Sequence, residues 1–429
     1  MKILIVSFLF APANVIGSVR VSKMAKYLTN EGHDVRVLAA SKSGYTETLN
    51  IEIPEDKVTR TDWFDLNTNI RKIVQKMKGQ DTANSALPTL RADGKRSFIA
   101  KLYSSLFCIP DNYWGWISPA VKQGKKLIDE DKPDLIITSG GPFSAFIVAS
   151  KLAKYVDIPW IADYRDLWSE NHAKPYLRFR RPIDKIIEKN TMKTAKSLIS
   201  ISPLFVNKLS AMHNKTTHLI MNGFDGDDYK AAAKLEDELD FLDHSKLNIL
   251  YTGEIYHDFQ DVSLILNACA LLPRDMKDKI RVIFLGRNHK AVQNKAKEIG
   301  IEDIICTPGE MPFAKSIAAQ QSADLLLFLL SKGPQAHGIF TGKLFEYFGA
   351  KRPIIATGHY DDGAVCELIK ERQVGKIFRN SDELKGVLQD YITQKVDNKT
   401  PIASPPSSAN KGLERKEQFS KLLHLIETL

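Results

Sequence analysis

A chain of 429 residues is longer than one compact core supports, because single cores stop growing at roughly 250–300 residues, so two domains are expected. Hydrophobic residues at 43%, charged residues at 26% and 20 Phe, 13 Tyr and 5 Trp exclude a disordered, collagenous or small disulfide-stapled chain. The net charge of +9 is uneven: residues 1–200 hold 31 basic and 21 acidic residues, residues 201–429 hold 29 and 30, and the first half is therefore the one suited to an anionic partner.

Lys2 and the apolar run Ile3 to Phe10, before Ala11-Pro12-Ala13, imitate a secretory leader. The run continues straight into a helical pattern over Ser18–Asn30, a stop at Gly32 and a second strand over Asp34–Ala39, so it is read as the start of a βαβ unit. Further strands follow at Leu135–Thr138, Trp160–Ala162 and Ser197–Ile201, with a helix near Ser144–Tyr155. A second series has strands at Asn248–Thr252, Arg281–Gly286, Leu325–Leu329 and Pro353–Ala356, and helices near Val262–Leu272, Ala291–Glu298 and Lys343–Ala350. Buried strands alternating with helices predict two α/β parallel sheets, each covered on both faces. Domains are expected at 1–212 and 213–405, with a Pro- and Ser-rich linker over 400–412 and a final segment, 406–429, whose helix places Phe419, Leu422, Leu423, Ile426 and Leu429 on one face.

Four scattered cysteines, Cys108, Cys269, Cys306 and Cys366, suit free thiols in a reducing, cytoplasmic compartment. No apolar stretch reaches the roughly 18 residues of a membrane span, so membrane contact is expected to be peripheral. Zinc spacing and a Gly-x-Gly-x-x-Gly fingerprint are absent, and the Asp-x-Asp of Asp225-Gly226-Asp227-Asp228 falls on a turn between domains, so neither a metal nor another cofactor is expected.

In such sheets ligands sit beyond the carboxyl ends of the strands. Three segments there carry chemistry-bearing residues. Ala13 to Arg20 is a small-residue loop entering a helix, where Gly17 permits close approach of an anion to free N–H groups. Ala162-Asp163-Tyr164-Arg165-Asp166-Leu167-Trp168 places two acids, an arginine and a tryptophan at a strand end, either paired with one another or facing a substrate. His337-Gly338-Ile339-Phe340-Thr341-Gly342-Lys343-Leu344-Phe345-Glu346-Tyr347 opens a helix whose amides and Lys343 can converge on a diphosphate, with Glu346 one turn on as an acceptor for ribose hydroxyls. Leu344 stands where a Walker A loop needs Ser or Thr.

Gly32-His33-Asp34-Val35, Pro110-Asp111 with Trp116, Lys132 to Ile136, Ala162 to Trp168, Ile201-Ser202, Asn222-Gly223-Phe224-Asp225, Tyr251-Thr252-Gly253 and Lys343 to Ala356, in this order, resemble a GT-B-fold glycosyltransferase. The similarity is to family 4, retaining enzymes of bacterial surface polysaccharide synthesis that use nucleotide sugars. It implies two doubly wound Rossmann-like domains facing a cleft, with the terminal helix crossing back to the first domain. By resemblance, Glu346 matches the ribose-binding second glutamate of Glu-x7-Glu, while Gly338 stands at the first. Gly17, Gly253, Arg287, Thr341, Gly342 and Lys343 join Glu346 as donor-binding candidates, and Asp163, Arg165 and Asp166 as catalytic ones, with Arg165 where relatives often carry histidine.

Basic residues interleaved with apolar ones over 70–106 and 174–196 read as a surface for anionic lipid, with Arg71, Lys72, Arg96, Lys101, Arg178, Arg180 and Arg181 as its candidates. No nucleic-acid motif accompanies them. The expectation is a hexosyltransferase-type enzyme at the inner face of the cell membrane, moving a sugar from a nucleotide donor to a lipid-linked or glycan acceptor. A GT-B nucleotide-sugar epimerase and a non-catalytic nucleotide-sugar-binding subunit are the alternatives.

Overall fold

The continuous apolar runs form the centres of two parallel sheets. The computed structural model describes residues 1–65, 98–171, 176–256, 259–287, 289–332, 340–360 and 362–429. The chain divides into two units, one of Met1–Met221 with Phe419–Leu429 and one of Asn222–Gln418.

The first unit holds β1 (Lys2–Val6), β2 (Asp34–Ala40), β3 (Val58–Thr61), β4 (Leu135–Gly140), β5 (Trp160–Tyr164), β6 (Ser197–Ser200) and β7 (Thr217–Leu219). They lie in the order β3-β2-β1-β4-β5-β6-β7, each parallel to its neighbours. Strand order reverses beside β1, between β2 and β4, which opens a crevice at the carboxyl ends of β1 and β4. On one face Ile3, Ile5, Val37, Ile137 and Ile161 pack against Val21, Met24 and Leu28 of the helix Ile16–Asn30. Phe419, Leu422, Leu425 and Ile426 of the terminal helix Arg415–Glu427 enter the same core. The second unit holds β8 (Leu247–Thr252), β9 (Ile280–Leu285), β10 (Ile305–Gly309), β11 (Leu325–Leu329), β12 (Ile354–Thr357) and β13 (Gly375–Phe378), ordered β10-β9-β8-β11-β12-β13 and again parallel. Its switch point lies between β8 and β11.

Two boundaries differ from the sequence reading. The first unit extends past residue 212 because β7 pairs with β6, from Leu198 opposite Thr217 to Ser200 opposite Leu219. Residues 400–412 are packed rather than a free linker: Ile402 joins the second core, Asn410 Nδ2 donates to Phe348 O at 2.9 Å, and the Phe224 amide donates to Leu413 O at 3.2 Å. The second division therefore falls after Gln418, inside the terminal helix, and not at 405.

Candidate functional site

In the second unit the helix Gly342–Ala350 follows β11 and is fixed to both strands of the switch point by one side chain. Tyr347 Oη accepts from the Thr252 amide of β8 at 3.1 Å and donates to Leu327 O of β11 at 3.1 Å. Tyr229 packs beneath Gly349, where an added Cβ would meet its hydroxyl at 2.5 Å, and donates to Glu346 O at 2.6 Å. The helix start thus stands at a fixed place above the carboxyl end of β8.

Lys343 and Glu346 lie at that start. Lys343 Nζ sits 3.5 Å from the centroid of the Tyr251 ring, a cation–π contact, and no carboxylate ion-pairs with it among the described residues. Burial pulls its pKa down to about 7, with Glu346 acting the other way. Burial also raises the pKa of Glu346; the hydrogen bond from Gln320 and the charges of Arg415 and Lys343 oppose that shift. Gln320, fully buried, donates Nε2 to Glu346 Oε2 at 3.1 Å, which leaves the other carboxylate oxygen for a ligand. Thr341 caps no amide of the helix, and its hydroxyl is buried without a partner among the described residues.

The floor of this region is made by two turns. Gly253, with φ +96°, bonds its amide to Leu285 O at 2.7 Å. Gly286 sits so close that a Cβ on it would lie 2.6 Å from Gly253 O. His289, buried, places its two ring nitrogens 2.9 Å from Phe284 O and 3.1 Å from Gly253 O and so braces both turns. Arg287, proposed from sequence as a diphosphate ligand, pairs with Glu310 through two hydrogen bonds at the surface. His337 and Gly338 lie outside the described residues.

In the first unit the sequence candidates separate. Asp163 on β5 is fully buried; Arg20 Nε and Nη2 donate to its two oxygens, each at 2.8 Å, and Ser139 Oγ donates at 2.8 Å. Arg20 also reaches Ile220 O at 3.0 Å and Met221 O at 3.1 Å. Asp163 is therefore fully buried as the ion-pair partner of Arg20. Arg165, which the sequence offered as that partner, lies against Gly17 and donates to Gly141 O. Asp166 is exposed beside it. Glu188 accepts from Tyr164 Oη at 2.9 Å and from the Ser169 amide at 2.9 Å, so the loop carrying Arg165 is held at both ends.

Glu188 belongs to the helix Arg180–Met192, whose polarity is reversed. Its buried side consists of Arg180, Asp184, Glu188, Thr191 and Met192, while Ile183 and Ile186 are 37% and 62% exposed. Arg180, expected to meet lipid, is fully buried: it pairs with Asp184 at 2.9 Å and donates to Ser104, Ser105 and Pro110 carbonyls. Arg178, Arg181, Lys185 and Lys189 flank the outward isoleucines, and Leu106, Phe107 and Phe179 are exposed nearby in the sequence segments Arg180 ties together. Arg181 pairs with Glu170, and Lys101 is half-buried. Arg71, Lys72 and Arg96 lie outside the described residues. No helix among the described residues is long and apolar enough to cross a membrane.

Sequence reasoning placed Arg20 in the first turn beside the anion loop without finding its partner Asp163, and missed Glu188, Gln320, His289 and Tyr347. Tyr347 had a signal, being four residues after Lys343 on the same helix; Gln320 and His289 had none.

Residues 246–393, most of the second unit, match the family model described as glycosyl transferases group 1. No curated protein matches the chain. Among solved structures it is similar over its whole length to HepE of Anabaena in complex with UDP, at 14% identity and TM-score 0.62, with all of that chain covered. It is also similar to sucrose-phosphate synthase of Thermosynechococcus elongatus, at 13% identity and TM-score 0.65, covering 100% of this chain and 99% of that one. WaaG, a glycosyltransferase involved in lipopolysaccharide biosynthesis, matches at 12% identity and TM-score 0.54 over 98% of this chain and 95% of that one. The fold is that of GT-B glycosyltransferases, and residues 246–393 carry the glycosyl transferases group 1 match.

Proposed function

We propose that the chain transfers a sugar from a nucleotide-sugar donor, held by its second unit, to a lipid-linked or polysaccharide acceptor met by its first, in cell-surface polysaccharide synthesis. The observation that carries this reading is the pair Lys343 and Glu346 at the start of one helix, among the described residues a lysine without a carboxylate partner beside an acid with one carboxylate oxygen unpaired. A nucleoside diphosphate needs both kinds of group. Its ribose hydroxyls donate to Glu346, and its phosphates accept from Lys343 and the amides of Gly342 and Lys343 at the positive end of the helix. As the bond from the anomeric carbon to the diphosphate oxygen breaks, negative charge grows on the leaving group, and fixed donors lower that barrier. In this reading the protein's own cations supply the stabilisation without a metal ion. The acceptor hydroxyl attacks the face from which the diphosphate leaves, giving retention, and its proton departs with the diphosphate.

The outer face of the helix Arg180–Met192 supports a peripheral site on the inner membrane surface. Exposed Ile183 and Ile186 among Arg178, Arg181, Lys185 and Lys189 combine apolar contact with attraction to anionic lipid. HepE bound to UDP and the lipopolysaccharide enzyme WaaG share the fold and agree with a nucleotide donor and a glycan product. Titration of nucleotide sugars into wild-type protein and Glu346→Ala tests the donor assignment. At least a tenfold loss of affinity is expected, and an unchanged affinity refutes it.

A further inference from the structure

We infer that Glu188 is a positioning residue through which a lipid surface on the helix Arg180–Met192 acts on the loop 165–169, an inference that rests on the membrane-facing reading above. A helix on a sheet is commonly seated by an apolar stripe, whose contacts are non-directional and allow a range of positions. This one is seated by charge. Of its buried residues Arg180, Asp184, Glu188, Thr191 and Met192, only the last is apolar. Arg180 and Glu188 stand about two turns apart on that side, and each is bonded to a different part of the first unit.

Arg180 joins the helix to the segment that carries more of the outward apolar surface. Its guanidinium donates to Ser104 O at 3.2 Å, Ser105 O at 3.3 Å and Pro110 O at 2.9 Å, and the Leu177 amide donates to Ser105 Oγ at 2.9 Å. Leu106 and Phe107, between those acceptors in sequence, are exposed, as are Ile183 and Ile186 on the helix. Hydrogen bonds fix distance and direction together. Apolar side chains from two segments are thus tied by one buried arginine, and a lipid surface that takes them up engages the helix and residues 104–110 as a unit.

Glu188 carries the position of the helix inward. One carboxylate oxygen accepts from Tyr164 Oη at 2.9 Å and lies 3.4 Å from His213 Nε2, and the other accepts from the Ser169 amide at 2.9 Å. Tyr164 ends β5, and Arg165, Asp166, Leu167 and Trp168 lie between the two bonded points. Leu167 and Trp168 are buried, and the Trp168 ring stacks on Phe143 with centroids 5.3 Å apart. The catalytic candidates Arg165 and Asp166 therefore take their place from a short span whose two ends are fixed to one side chain. A fully buried carboxylate is costly unless its bonds are made, and those of Glu188 go to this loop and to His213. Lipid that orders the helix orders the loop through the same bonds.

Hydrogen–deuterium exchange of the full-length protein, free and on vesicles of phosphatidylglycerol in phosphatidylcholine, tests this, with sedimentation of the same samples reporting attachment. In wild-type protein, exchange over 164–169 is expected to slow several-fold on these vesicles and to stay unchanged beside phosphatidylcholine alone. Glu188→Met and Tyr164→Phe should attach as wild type does and lose most of that response; Tyr164→Phe makes the test with the buried carboxylate intact. Glu188→Gln should recover it, since its oxygen can accept from the Ser169 amide while its N–H donates to Tyr164 Oη. Attached wild-type protein with unchanged exchange over the loop would overturn the inference, as would Glu188→Met and Tyr164→Phe responding like wild type. Absence of attachment refutes the membrane-facing reading itself, and the coupling with it.

Discussion

Removing the carboxylate of Asp163 separates a structural from a catalytic role for that residue. Asp163→Ala leaves Arg20 charged, fully buried and with two of its four described hydrogen bonds gone, and it also strips Ser139 Oγ of its acceptor. Breaking a buried ion pair by deleting one partner costs about 3–5 kcal/mol, because the surviving charge has neither water nor a counter-ion. For a unit of this size each kcal/mol moves the midpoint by roughly 2–4 °C, so the first unit's transition should fall by about 6–20 °C. Arg20→Met should cost a similar amount, since it strands Asp163 and leaves Ile220 O and Met221 O without their donor. Residues in one network couple by about 0.5–3 kcal/mol, so Arg20→Met with Asp163→Ala should be more stable than the sum of the single costs by that amount. Scanning calorimetry on the three variants measures the cycle. Single variants within about 1 kcal/mol of wild type, or strictly additive costs, would refute the pairing argument; wild-type unfolding with lost turnover would return Asp163 to catalysis.

Three further outcomes follow from the geometry. Lys343 is largely neutral above its lowered pKa of about 7, and a diphosphate beside it restores the charge, so nucleotide-sugar binding at pH 8 should take up most of a proton and weaken as pH rises through 7. Titrations in buffers of different ionisation heat measure the uptake, and its persistence in Lys343→Met would exclude that residue. Ile183→Ser with Ile186→Ser should reduce sedimentation with anionic vesicles several-fold while leaving the melting temperature within a degree or two, whereas Arg180→Ala should cost about 3–5 kcal/mol. Gly286→Ala, with φ +144° and Gly253 O in the way, should cost about 1–3 kcal/mol and lower nucleotide-sugar affinity, because the Gly253 turn must shift; unaltered affinity would separate that turn from the donor.

The central strands were legible because β1, β4, β5, β8, β9, β11 and β12 are short apolar runs buried on both faces, and each was placed to within a few residues. The edge strands β3, β7 and β10, and Gly375–Phe378, were not, since Val-Thr-Arg-Thr or Thr-His-Leu alone carries no buried pattern and becomes a strand only beside an existing sheet. Lys343 and Glu346 were legible from their spacing on one helix turn. Gln320, 26 residues before Glu346, and Arg20, 143 residues before Asp163, were not, because only the crossover of the sheets brings such partners together. Arg180 illustrates the same limit from the other side: a local run of arginines gives no sign of which one turns inward.

That inward turn sharpens what the charge asymmetry means. The pairs Arg20 with Asp163 and Arg180 with Asp184 are buried and each is neutral, so removing them from the count leaves the surplus of the first 200 residues unchanged. On the helix Arg180–Met192 the acids Asp184 and Glu188 both face inward, while Arg181, Lys185 and Lys189 face out with Ile183 and Ile186. The helix therefore presents a cationic, apolar surface although its own sequence contains two acids. Surface charges of this kind act within a Debye length, about 8 Å at physiological ionic strength. Attraction to an anionic membrane should accordingly collapse on raising salt, while the contribution of the isoleucines should not.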